Sequence, residues 1–330
     1  MLAERQNSEL SSSVRVGGAQ LRTAAVVVLA LCAALQICRA QGLSPRAYVI
    51  APSRSNAVTL TYSFQDGDVV FDPSFPIQNA NGRISNPLFT YSRAIDFFGR
   101  SANASITLPY AVGHFQGQLL GVEEKIYRSG LAGLTSRFSV NLLGGPAMSL
   151  KEYPKWRQKL LVGASLLVTT PTGQYDPARL INIGNNRWAF KPEVGLSRRW
   201  GNWILDCYGG GWFFTANNNF FSNLPGSTPP NRQTQAPMAS TELHLSYDFK
   251  PRFWLSLDGN YWHGGETSLN GTVTPTTLQV NSRLGTTASF PITKRQSVKL
   301  SYSGGTYITF GGNFQSLQVG WQYAWIERPK

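Results

Sequence analysis

Apolar and polar side chains alternate almost without error through the last sixty residues of the chain. From Thr277 to Phe290 the even positions Leu278, Val280, Leu284, Ala288 and Phe290 oppose Gln279, Asn281, Arg283 and Ser289. Val298 to Phe310 repeats the scheme, with Val298, Leu300, Tyr302, Ile308 and Phe310 on one face and Lys299, Ser301, Ser303 and Thr309 on the other. Ser316 to Trp325 repeats it again, setting Leu317, Val319, Trp321, Tyr323 and Trp325 against Ser316, Gln318 and Gln322. Successive strand side chains point to opposite faces, so this period of two predicts a sheet with one apolar and one polar face. Each segment is roughly ten residues or longer, the length a tilted strand needs to cross a bilayer, whereas soluble strands average about five or six.

The same reading along the rest of the chain predicts twelve strands, near 57–71, 88–99, 102–118, 130–143, 158–171, 187–200, 202–216, 239–250, 252–265, 276–291, 296–310 and 314–326. Bacterial outer-membrane barrels have an even strand count, short periplasmic turns and longer outer loops. The links alternate accordingly. Gly99–Ser101, Gly201, Lys250–Pro251 and Thr293–Arg295 are tight; Asp72–Pro87, Leu119–Ser129, Thr172–Arg187, Ala216–Ala239 and Thr267–Pro275 are long. Two links break the alternation: Gly144–Gln158 is long where a turn is expected, with a helical turn predicted at Ser149–Tyr153, and Gly311–Asn313 is short where a loop is expected. Aromatic residues cluster at the strand ends, as in interfacial girdles. Phe97, Trp200, Trp203, Phe249, Phe253, Phe290 and Trp325 stand beside the short turns, and Trp188, Phe213, Tyr261, Phe310 and Phe314 near the opposite ends. Two residues fit poorly. Arg93 carries lipid-face parity, a cost that falls from midplane to interface and that a β-bulge would relieve. Pro192 interrupts the sixth strand and requires a bulge or a local break.

Composition agrees. Charged residues are only 14% of the chain and aromatic residues 12%, against about a quarter charged in soluble domains. The mean hydropathy of −0.18 is too low for a bundle of apolar helices. A fourteen-residue apolar run, Ala24–Ile37, follows Arg15 and Arg22 and ends at Cys38-Arg39-Ala40. It reads as a secretory signal peptide over residues 1–40, cut after Ala40, which leaves residues 41–330 as the barrel. Residues 41–56 are too few for a separate plug domain. Without residues 1–40, which hold four Arg and two Glu, the balance of 30 basic and 17 acidic residues falls from +13 to +11. These charges are scattered, and export argues against nucleic acid as a partner. Cys207 is then the one remaining cysteine, which rules out an internal disulfide or a cysteine metal site.

No catalytic motif emerges, and no metal or cofactor is expected. Inward parity belongs to Arg137, Lys191, Arg199, Arg283 and Lys299, to Glu193, Asp206, Glu242, Asp248 and Asp258, and to His244. These charges either pair to brace the wall or line an aqueous path that selects solutes by charge. Tyr208, Trp212, Phe214, Trp254 and Trp262 share that parity and either stack on rings of a solute or fill a narrow lumen. A Ser–His pair built on His244 would support a barrel hydrolase, but His244 lies about five residues from the girdle at Phe249, on the wrong side for such enzymes. His114 and His263 fall at loop or strand-end positions.

The segment Val168-Thr-Thr-Pro-Thr-Gly-Gln-Tyr-Asp176 runs into Leu180-Ile-Asn-Ile-Gly-Asn-Asn-Arg-Trp-Ala-Phe-Lys-Pro-Glu193. This stretch resembles the family of outer-membrane transporters associated with the meta-cleavage pathway of phenol degradation. The resemblance extends over most of the chain after residue 40. It implies an all-β, up-and-down transmembrane barrel and, less directly, uptake of aromatic compounds. The aromatic last strand resembles the assembly signal of outer-membrane barrels, although here the chain continues to Lys330. The expectation is therefore a passive channel for small solutes in a Gram-negative outer membrane, reached by Sec-type export, with the bilayer, lipopolysaccharide and the barrel assembly machinery as partners. A barrel hydrolase and a closed structural or adhesion barrel are the alternatives.

Overall fold

The computed structural model describes residues 43–70, 77–119, 122–179, 181–223 and 228–327. The segment read as a signal peptide lies outside them. The strands are β1 (Ser55–Val70), β2 (Ile77–Phe97), β3 (Arg100–Leu119), β4 (Val122–Leu131), β5 (Thr135–Leu143), β6 (Leu160–Thr169), β7 (Ala189–Trp200), β8 (Trp203–Phe214), β9 (Asn217–Phe220), β10 (Asn231–Gln235), β11 (Met238–Lys250), β12 (Phe253–Gly264), β13 (Thr267–Leu269), β14 (Thr272–Thr274), β15 (Gln279–Pro291), β16 (Gln296–Ile308) and β17 (Gly311–Ile326).

Each long strand pairs antiparallel with its sequence neighbours. β1 pairs with both β2 and β17, and the β2–β3 pairing closes the ring. β4 and β5 occupy one position in that ring. β4 follows β3 from Tyr110 to Leu119, and β5 follows it from Ala102 to Thr107. The result is a closed twelve-stranded antiparallel barrel. Closure joins the two edges that an open sheet would leave unpaired.

The faces follow the alternation. Along β7, Ala189, Lys191, Glu193, Gly195 and Ser197 are buried inside, while Val194, Leu196 and Arg198 are exposed outside. On β15, Arg283 is 1% exposed and its neighbour Leu284 61%. An exposed apolar belt of this kind, bounded by Trp200, Trp203 and Phe249 at the short-turn end and by Trp188, Phe213 and Tyr261 at the long-loop end, is a surface made for lipid.

Several expectations need correction. Phe310 and Phe314 belong to no girdle; both are buried inside with Val69 and Ile84. The cause in β16 is a bulge. Ser282 pairs with Tyr307 and Arg283 with Gly305, so Thr306 is unmatched and the faces exchange beyond it. Tyr307 thereby turns outward and Phe310 inward. Arg93 needs no bulge. It remains outside in continuous register with Asn56 and Ala104, and its guanidinium donates two hydrogen bonds, of 3.1 and 2.8 Å, to the Glu327 carboxylate. Pro192 produces a break without a bulge. β7 and β8 pair at Phe190–Phe213 and resume at Glu193–Gly210 in the same register.

The loops also hold more strand than expected. β2 begins at Ile77, within the predicted Asp72–Pro87 loop, and β4 at Val122, within Leu119–Ser129. β9, β10, β13 and β14 form a second, four-stranded sheet in the two loops predicted at 216–239 and 267–275. The long link after β5 does turn as a helix. Tyr153 N–H bonds Ser149 O at 3.0 Å and leads into a short 3-10 helix, Tyr153–Lys155. The exposed Glu152 carboxylate accepts the Ser149 N–H at 2.8 Å, and that bond holds its pKa below the usual carboxylate value.

Candidate functional site: the lumen

The inside of the barrel has three regions. At the long-loop end two apolar clusters lie inside the wall: Val69, Ile84, Phe310 and Phe314 in one, and Ala189, Trp212, Met238 and Trp262 in the other. Glycines make this packing possible. A Cβ on Gly82 or Gly113 would meet the Phe115 ring at 2.9 or 2.6 Å.

The middle is a chain of buried charges. Lys191 Nζ lies 2.8 Å from Glu193 Oε2 and 2.9 Å from Glu242 Oε1. His244 Nδ1 is 2.8 Å from Asp258 Oδ1, and its Nε2 is 3.4 Å from Glu242 Oε2. Thr287 donates its hydroxyl proton to Asp258 Oδ2 at 2.7 Å. Arg283 bonds Ser303 Oγ and Phe314 O, each at 2.9 Å. Buried charges survive only with such partners, because desolvation otherwise outweighs Coulomb attraction. Of the pairing and the lining that the sequence left open, the distances show pairing among Lys191, Glu193, Glu242, His244 and Asp258. His244 is held between two carboxylates and has no hydrogen bond to a serine hydroxyl among the described residues, so the Ser–His arrangement of a hydrolase is not formed.

The third region, toward the short turns, contains a cavity of about 1290 Å³. The strap Leu43–Arg54 runs along one side of it, which the sequence reading did not foresee. From Leu43 on, this short segment is long enough to enter the lumen. Ala47 N–H donates to Tyr208 Oη at 3.0 Å, and Arg46 N–H to Asp206 Oδ2 at 3.1 Å. Arg46 Nη1 meets Asp248 Oδ1 at 2.7 Å, and the guanidinium carbon lies 4.3 Å from the centre of the Trp254 ring. Tyr48 is buried, with its hydroxyl donating to Glu193 Oε1 at 3.1 Å and its ring edge-on to Tyr208 at 5.2 Å. Asn141 Nδ2 donates to Tyr48 O at 3.2 Å, and Tyr153 Oη to Ile50 O at 3.2 Å. The wall is cut to receive the strap, since a Cβ on Gly195 or Gly163 would stand 2.1 or 2.3 Å from the Tyr48 ring. The signal available in the sequence was that pair of inward glycines and the Tyr48 that fills their space.

Arg137, Arg199, Lys299 and Trp254 line the cavity, while Asp206 and Tyr208 hold the strap. Across the cavity from the strap, Thr59, Thr61, Thr90, Ser301, Gln318 and Gln322 form a wall of hydroxyl and amide groups. Trp212 and Trp262 belong to the apolar cluster above, with Trp262 Nε1 donating to Gln279 Oε1 at 2.9 Å.

The loop segment singled out in the sequence closes the gap between β4 and β5. Thr170 N–H bonds Leu134 O at 2.9 Å, Gln174 N–H bonds Leu131 O at 2.8 Å, and Leu134 N–H bonds Thr172 Oγ1 at 3.1 Å. Gly173 packs against Gly133 and Gly184 so closely that a Cβ on it would stand 2.7 Å from either. Asn182 Oδ1 accepts Asp176 N–H at 2.8 Å. Arg187 is buried over the Phe214 ring at 4.7 Å and bonds Gln235; burial pulls its pKa down to about 10. The segment thus fixes the loop backbone.

Comparison with solved structures finds the COG4313 outer membrane channel from Pseudomonas putida F1, at 16% identity and a TM-score of 0.71, over 86% of this chain and 100% of that one. The transport unit of the autotransporter AIDA-I from Escherichia coli matches at 9% identity and a TM-score of 0.50, over 90% of this chain and 98% of that one. Both likenesses concern the barrel fold. No curated protein matches. A family model described as "Putative MetA-pathway of phenol degradation" matches residues 77–323, a span that covers most of the barrel and the whole loop motif, and the chain belongs to that family.

Proposed function

We propose that the protein is a channel of the Gram-negative outer membrane through which small solutes pass down their own gradient. The observation that carries this reading is the closed wall, with an apolar belt outside and a cavity of about 1290 Å³ inside, lined by Ser, Thr, Asn, Gln and charged residues together with aliphatic and aromatic ones such as Ile50, Tyr48 and Trp254. Such a cross-section is stable only with lipid around it and water within it. The similar fold of a structure titled an outer membrane channel supports the assignment. The family description supports the finer part of the proposal, that phenol-type aromatic compounds are among the solutes. In this reading the short turns face the periplasm, residues 1–40 direct Sec-type export, the assembly machinery inserts the barrel, and lipopolysaccharide surrounds its outer rim. The strap narrows the lower lumen, and the route beside it follows the hydroxyl and amide wall of β1, β2, β16 and β17.

The test is planar-bilayer recording on the purified full-length protein, together with liposome swelling in arabinose. The reading predicts stepwise currents in KCl and swelling above that of empty liposomes; absence of both contradicts it. Millimolar phenol should interrupt the KCl current if aromatic solutes occupy the lumen. An unchanged current would remove phenol-type compounds from the assignment.

A further inference from the structure

Among the described residues, the lower cavity is lined by seven basic side chains and one carboxylate, that of Asp248. Most of the seven have an evident structural task. Arg46 and Arg199 share Asp248 at 2.7 and 2.6 Å. Arg137 holds Glu193 at 3.1 Å. Arg252 ties two turns together by donating to Thr293 O, Lys294 O and Gln296 O, and Arg157 bonds Pro154 O and Trp156 O. Lys250 stands exposed in the last position of β11, at the short-turn rim.

Lys299 is different. It projects from the first few residues of β16, near the short-turn end, into the cavity, where its side chain is exposed. Among the described residues no carboxylate lies within 4.0 Å of its Nζ. Its ammonium is 5.6 Å from the centre of the Trp254 ring, which the Arg46 guanidinium also approaches at 4.3 Å. Two cations therefore converge on one indole, and Asp248, the one carboxylate lining the cavity among the described residues, is already engaged by Arg46 and Arg199. A cation–π contact is worth about 0.5–1 kcal/mol at exposed sites and does not neutralise charge. A concave, low-dielectric site with an excess of one sign concentrates the opposite ion.

We propose that the lower lumen is a binding site for small organic anions, with Lys299 as the residue that holds a carboxylate and the Ser, Thr and Gln side chains of the same wall, Ser301 and Gln318 beside it among them, as the surface that solvates the remainder. The proposal names the solute class of the channel suggested above and rests on that reading for its role in transport, though not for binding itself. A carboxylate on Lys299 gains a charge-assisted hydrogen bond, roughly twice as strong as a neutral one.

The test is titration calorimetry of sodium benzoate, and of the neutral benzyl alcohol, into the full-length protein in detergent, beside current recording on the same preparation. Saturable benzoate binding is expected, stronger than any binding of benzyl alcohol. It should weaken about tenfold in Lys299→Gln, the equivalent of ~1.4 kcal/mol, and recover in Lys299→Arg. In a KCl gradient the reversal potential should favour chloride and move toward potassium in Lys299→Gln. Benzoate binding no tighter than benzyl alcohol, or unaffected by Lys299→Gln, overturns the proposal. Benzoate binding that depends on Lys299 in a protein that never conducts supports the site and sinks the channel reading alone.

Discussion

At the scale of single residues, the interior is decided by where glycine and charge stand. Tyr48 occupies space that Gly163 and Gly195 leave open, with the clearances given above, and its hydroxyl reaches Ser165 at 3.1 Å. Gly195→Ala should therefore lift the strap from the wall. Trypsin is expected to cut after Arg46 several-fold faster in this variant than in the parent, as read by intact mass; equal rates would mean that the ring yields and the strap stays. The charge chain makes a second demand. Glu242→Ala removes the shared partner of Lys191 and His244, and breaking a buried pair costs about 3–5 kcal/mol. Urea unfolding in detergent should register that loss, with Glu242→Gln intermediate; a change near zero would mean that water already screens the pair. The inward parity of these charges was legible in the sequence. Their pairing was not, because partners such as Lys191 and Glu242 lie on strands separated by β8 and meet only once β7, β8 and β11 have paired in register.

At the scale of elements, alternation marked the strands only where one face is apolar. It identified β15 and most of β16 and β17, but not the start of β2 (Ile-Gln-Asn-Ala-Asn-Gly-Arg) or β4 (Val-Glu-Glu-Lys-Ile-Tyr-Arg), where polar and apolar residues no longer separate by face. These segments extend the hairpins at the long-loop end, and their ladders hold them without a buried face. The bulge at Thr306 hid in the same way. Val298 to Phe310 alternates cleanly enough to suggest a single face, but one unmatched residue reverses it. The two readings make opposite predictions. Phe310→Ala empties part of a packed cluster and should cost about 3–5 kcal/mol, as for other buried Phe→Ala changes, whereas Tyr307→Ala on the outer face should cost far less. Equilibrium unfolding of the two variants decides, and the reverse order would restore the unbroken alternation. The loop motif at 168–193 was recognisable by its residue types. Its purpose became visible only with the gap between β4 and β5, because the Gly133–Gly173–Gly184 contact joins three separate segments.

For the whole molecule, the twelve strands, their order and the sidedness of the turns followed from periodicity and link length. The strap did not, because residues 43–54 carry no periodic signal and their position depends on a lumen wide enough to admit them. Everything proposed about solutes assumes that lipid surrounds the barrel and water enters it. Nitroxide labels on single cysteines, placed in a background of the full-length chain with Cys32→Ser, Cys38→Ser and Cys207→Ser, in phospholipid vesicles, measure this directly. Leu284, Leu300 and Val319 are exposed on the outer belt, and Ser301 and Gln318 line the cavity. The first three labels should collide preferentially with oxygen, as in hydrocarbon, and the last two with a water-soluble nickel chelate. Nickel access at Leu284, Leu300 and Val319 together with oxygen preference at Ser301 and Gln318 would contradict the account.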